Sequence, residues 1–225
     1  MSVQAEPLQF EVGPETRVSA LWQRPDHALA CYVLAHGAGA GMDHAFMAAM
    51  AVELAERRVA TLRYQFPYIE RRSRRPDPEA VCHATVRAAV ATARALAPGM
   101  MLFAGGKSFG GRMTSQAQAI APLLHVRGLI FLGFPLHPAG KPSSRRAEHL
   151  QRIRIPMLFL QGTRDALAEL ALLQPMIDGL GALASLRLAA GADHSYHVLR
   201  SAGTTDDKVR AALADDLVAW IGAAA

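Results

Sequence analysis

Short runs in which nearly every position is apolar alternate along the chain with longer runs whose apolar positions recur every three or four residues. The short runs Ala30–His36, Val59–Tyr64, Met100–Gly105, Arg127–Gly133 and Pro156–Gly162 predict strands buried on both faces, and Ser185–Ala190 a further strand. Leu8–Val12 and Arg17–Gln23, joined at Gly13 and Pro14, predict an edge hairpin. The longer runs predict helices. One is capped by Asp43 and carries Phe46, Met50 and Leu54; a second, after an irregular Arg and Pro stretch to Pro78, carries Cys82, Val86, Val90 and Ala93. Others run from Ser108 to about Ile120, from Ala166 to Asp178, and over Val209, Leu213, Leu217 and Ile221. A strand apolar on both faces needs a helix layer on each. The pattern therefore predicts an α/β fold with a mostly parallel sheet of about seven or eight strands flanked by helices. With no internal repeat or linker, the expectation is a single domain over residues 1–225.

Composition narrows this reading. A chain of 225 residues that is 51% hydrophobic and 19% charged can bury a large core, which excludes disordered and fibrous classes. The net charge of +5 is dilute, and the basic residues are not interleaved with stacking aromatics, so no nucleic acid partner is expected. Cys31 and Cys82 stand in apolar or helical surroundings without pairing or ligand spacing, which predicts a reducing compartment. Without a leader or a membrane-length apolar run, the expected location is cytoplasmic, with no membrane partner.

The chemistry concentrates at strand ends. Met100–Gly105 runs into Gly106-Lys107-Ser108-Phe109-Gly110 and then a helix, the context of a Gly-x-Ser-x-Gly nucleophile elbow. A tight turn lifts the Ser108 hydroxyl clear of the sheet, and glycines at 106 and 110 avoid collisions with the neighbouring strand and helix. A serine hydroxyl needs an imidazole to take its proton and a carboxylate to orient that imidazole. Asp165, after the strand ending near Gly162, and His194, after the last strand, supply them in the order Ser, Asp, His. Asp165 is also suited to cap the helix at Ala166. His197 is the substitute base, and Asp193 is expected to order their shared loop.

His36-Gly37-Ala38-Gly39-Ala40-Gly41 follows the first buried strand, so the backbone N–H groups of Ala38 and Phe109 are the candidate oxyanion hole. Nucleotide readings of both segments fail on one residue each. A phosphate loop requires glycine where Met101 stands, and a dinucleotide fingerprint requires glycine or alanine where Met42 stands. His36, Asp43 and His44 do not complete a metal site. No cofactor and no metal are implied.

With these motifs the chain resembles the α/β-hydrolase superfamily over nearly its whole length. More narrowly, His36–His44, Gly105–Arg112, Gly133–Pro138 and Ala192–Ser195 are similar to a small bacterial group of hydrolases. That group is related to the testis-expressed and NSL-complex hydrolase-like domains and is similar in size to dienelactone hydrolases. The resemblance implies Ser108 as nucleophile, Asp165 as acid and His194 as base; it names no substrate, and some relatives are thought to be non-catalytic interaction domains. Lids of this superfamily enter where Gly133–Ile155 lies here, a segment too short for a lid domain. An open, shallow cleft follows.

The expected function is a carboxylesterase-like or thioesterase-like serine hydrolase acting on a small-molecule acyl substrate through an acyl-enzyme. A non-catalytic binding module of the same fold is the alternative. Phe66, Tyr68, Phe134 and Leu136 are candidate pocket walls. The basic runs Arg71–Arg75 and Lys141–Arg146 form either solvated surface or a rim for an anionic substrate. The sequence separates neither esterase from thioesterase or peptidase nor monomer from homodimer.

Overall fold

A computed structural model describes residues 3–223. Eight strands form one sheet: β1 (Glu6–Gly13), β2 (Thr16–Gln23), β3 (Ala30–Ala35), β4 (Val59–Tyr64), β5 (Met101–Lys107), β6 (Val126–Leu132), β7 (Met157–Gly162) and β8 (Ala184–Ala189). Their spatial order is β1-β2-β4-β3-β5-β6-β7-β8. The hairpin β1/β2 is antiparallel and β2 pairs antiparallel with β4, whereas every pair from β4 to β8 is parallel.

The continuously apolar strands follow from two separate cores. In β3, Cys31, Val33 and Ala35 face one core while Ala30, Tyr32 and Leu34 face the other, and β6 and β7 divide in the same way. Helices α3 (Glu79–Leu96) and α4 (Phe109–Ile120) cover the first side with Val86, Val90, Met113 and Ala117. Helices α1 (Ala45–Glu56) and α6 (Asp206–Ala223) cover the second with Met47, Met50, Leu54, Leu213 and Leu217. Burying both faces removes the alternation that a half-exposed strand would show.

The chain leaves β3 toward β4 on one side and returns to β5 on the other. The β3/β5 pair, in register from Ala30↔Met101 to Ala35↔Gly106, is therefore the switch point of the sheet, where open α/β folds hold ligands beyond the strand ends. His36–Gly41 and Lys107–Ser108 emerge side by side there.

Three expectations shift at element ends. The cap of α1 is His44, whose Nδ1 accepts from Phe46 N–H at 3.3 Å, and not Asp43, which lies in the preceding turn. Helix α5 spans Leu170–Leu180 and does not begin at Ala166, because a turn closed on the Asp165 carboxylate intervenes. The stretch before Pro78 contains a short helix, α2 (Pro67–Glu70), started by Pro67. Residues 133–156 hold only a 3-10 helix at Arg145–Arg152, with no lid domain. Among the described residues no helix is long and apolar enough to cross a membrane.

Candidate active site

Ser108 sits on the sharp turn between β5 and α4 with φ 50° and ψ −113°, a left-handed conformation that a non-glycine residue adopts only when its surroundings impose it. Close packing imposes it here. A Cβ at position 106 would lie 2.3 Å from the Ala35 carbonyl oxygen, and one at 110 would lie 2.6 Å from the carbonyl oxygens of Ala35 and His36. Glycine at both places lets the first turn of α4 rest against the end of β3, as the elbow requires.

The three residues named from sequence order come together. The Ser108 hydroxyl lies 2.8 Å from His194 Nε2, and His194 Nδ1 lies 2.7 Å from Asp165 Oδ2. The Asp165 side chain is fully buried, whereas the imidazole is 24% exposed, so the carboxylate is fixed and the ring faces the cleft. Asp165 caps no helix, since α5 starts at Leu170, and its two oxygens make separate contacts. Oδ1 accepts from Leu167 N–H at 2.8 Å and closes the turn, while Oδ2 accepts from the Gln161 amide at 2.5 Å and faces the imidazole. Gln161 escaped sequence reasoning because it reads as a lone polar residue in the apolar run of β7; its Oε1 also accepts from Phe134 N–H, at 2.9 Å. His197 is exposed and paired with Asp206 at 2.9 Å, away from Ser108. Asp193 orders the loop, its Oδ1 accepting from the N–H groups of Ser195 and His197.

The loop after β3 is held by His36. This buried imidazole accepts from Phe66 N–H at Nε2 (3.1 Å), and its Nδ1 lies 2.8 Å from the Gly37 carbonyl, which fixes a neutral ring with the proton on Nδ1. Burial pushes its pKa down to about 4, offset in part by the bond to Gly37. An unfolded chain takes up a proton at this residue as pH falls through about 6.5, while the folded chain does not until about 4. The stability contributed by neutral His36 is thus complete above about 6.5 and lost on descending to about 4, by about 3 kcal/mol at most. His36→Gln, which keeps an acceptor for Phe66 but cannot titrate, is expected to flatten the pH dependence of unfolding free energy between pH 7 and 4.5. Urea titrations at the two pH values check this; equal slopes for both proteins would refute it.

Among the described residues, the N–H groups of Ala38 and Phe109 donate to no acceptor in the loops and caps around the site. A cavity of about 340 Å³ opens beside Ser108 and His194, walled by Ala38, Ala40, Phe46, Met47 and Leu167. The expected walls Phe66, Tyr68, Phe134 and Leu136 are instead fully buried beneath the loops. Helix α2 turns Phe66 and Tyr68 inward against His36 and Phe109, and Phe134 packs on Phe131 and Phe159. The start of α1 supplies the wall instead, with Phe46 stacked on Tyr196 at 5.4 Å. Neither basic run contributes a residue to this cavity, and Arg71 is paired with Asp77.

A mostly parallel sheet in this strand order, with a serine on the turn after β5 and a carboxylate and an imidazole after β7 and β8, defines the α/β-hydrolase class. The chain belongs to the alpha/beta hydrolase family, whose domain profile matches residues 28–222. Among solved structures it is similar to a dienelactone hydrolase from Anabaena variabilis, with 19% identity, coverage of 98% of this chain and 97% of the other, and a TM-score of 0.77. It is likewise similar to an α/β serine hydrolase homologue from Coxiella burnetii (19% identity, 94% and 97% covered, TM-score 0.75). A third is an α/β serine hydrolase without lid from Xanthomonas campestris (20% identity, 96% and 95% covered, TM-score 0.74). At such identities these likenesses speak to the fold.

Proposed function

We propose that this α/β hydrolase is a serine hydrolase that cleaves a small ester or thioester through an acyl-enzyme. Ser108 attacks the acyl carbon, His194 takes the hydroxyl proton and returns it to the leaving group, and Asp165 orients the imidazole and stabilises its charged form. The N–H groups of Ala38 and Phe109 stabilise the oxyanion, aided by the N-terminal end of α4. Water then takes the place of the leaving group, and the same imidazole activates it. The observation that carries this reading is the unbroken hydrogen-bonded chain from Ser108 through His194 to Asp165, at 2.8 and 2.7 Å.

The small apolar cavity favours a short acyl group. The lidless segment after β6, and the likeness to the Xanthomonas hydrolase without lid, support an open cleft that takes small soluble compounds. Hydrolysis of p-nitrophenyl acetate by the wild type and by Ser108→Ala tests the proposal. Turnover by the wild type that the variant loses supports it, and a folded wild type with no turnover favours the binding module.

A further inference from the structure

The residue before Ser108 has no assigned part in this chemistry, yet it reaches the loops at Gly37, Gly133 and His194. Lys107 Nζ donates to the His194 carbonyl at 2.5 Å and lies 5.2 Å from the centre of the Tyr196 ring. Its Cγ passes under Gly37, 3.7 Å from where a Cβ there would sit. A Cβ on Gly133 would stand 3.0 Å from Nζ and 3.5 Å from the Cε1 and Nδ1 atoms of His194, so glycine at 133 leaves the space that ammonium and imidazole share. The ammonium thus sits beside the Asp165 edge of the ring, behind the reacting nitrogen. Among the described residues no backbone N–H outside helices and strands donates to the His194 carbonyl, which leaves Lys107 as its donor. Tyr196, whose hydroxyl donates to the Leu160 carbonyl at 2.7 Å, gives the ammonium a fixed aromatic floor.

We propose that Lys107 is a positioning residue: its ammonium holds the carbonyl of His194 and so keeps the imidazole aimed at Ser108. This rests on the serine-hydrolase reading above. Burial pushes the Lys107 pKa down to about 8, while Asp165 and Asp193 oppose the fall, so near neutral pH the group is largely a cation. The groups facing this pair are Asp165, Asp193, Tyr196 and Ser108; His197 is turned toward Asp206.

The test compares the wild type, Lys107→Met and Lys107→Arg by hydrolysis of p-nitrophenyl acetate, by rate of fluorophosphonate labelling, and by circular dichroism for folding. Lys107→Met is expected to lower kcat and the labelling rate in parallel by about 10- to 100-fold, with KM within about twofold. Lys107→Arg, which keeps charge and donors, is expected to retain most activity. If the Met variant does not fold, Lys107→Gln carries the same measurements. A folded variant with wild-type kcat overturns the proposal, as does a loss confined to KM. A wild type that neither labels nor hydrolyses sinks the serine-hydrolase reading instead.

Discussion

Ser108→Ala is expected to lower kcat for a small activated ester by about ten-thousand-fold or more and to leave the protein folded. Among the described residues the hydroxyl makes no other side-chain or backbone bond; its partner is His194 Nε2 on the cleft side, where water can replace it. The variant therefore loses the attacking atom without leaving a buried group unpaired. Asp165→Asn is the sharper companion. The carboxylate accepts from Leu167 N–H, the Gln161 amide and His194, so an amide in its place must set an N–H against one of these donors. Either the imidazole takes the tautomer that cannot accept the Ser108 proton or the turn at Leu167 opens. A loss of about a thousandfold or more in kcat is expected, read by steady-state kinetics on protein whose folding is verified by circular dichroism. Wild-type turnover in either folded variant would remove Ser108 or Asp165 from the mechanism.

The second large effect falls on stability. A Cβ at Gly110 would meet the carbonyl oxygens of Ala35 and His36 at 2.6 Å, and both are backbone atoms at the end of a strand paired on both sides. Neither can retreat without disturbing the sheet or the loop bearing Ala38. Gly110→Ala is expected to cost about 3 kcal/mol or more, seen as a Tm lower by about 10 °C. Gly179→Ala is the control. Position 179 lies on the exposed side of α5, and the nearest atom to an added Cβ is at 4.0 Å, so this change is expected to be neutral or to stabilise by up to about 1 kcal/mol. Equal Tm values for the two variants would show that glycine at 110 is incidental.

The positions that could be read from sequence alone are those whose chemistry depends on local pattern. Strand β4 falls where its apolar run ends, and the elbow glycines mark a close approach that only a missing side chain permits. The order of Ser108, Asp165 and His194 along the chain, each just past a strand, anticipates a convergence measured in ångströms. What the pattern did not reveal depends on which way a side chain points. Phe66 and Phe134 have the composition of pocket walls, but nothing local records that α2 folds one against His36 or that aromatic packing claims the other. Gln161 and Lys107 look like stray polar residues in apolar strands until distant loops supply the Asp165 carboxylate and the His194 carbonyl. Helix starts slipped where a side chain closed an extra turn, as Asp165 does before α5.

The claim on which the mechanism rests is that the oxygen of Ser108 becomes covalently linked to an acyl or phosphonyl group. Treating the folded wild type with a fluorophosphonate and mapping the labelled peptide by mass spectrometry tests this most directly. The account predicts a single adduct on Ser108. A folded protein that carries no adduct, or carries it on another residue, would contradict it.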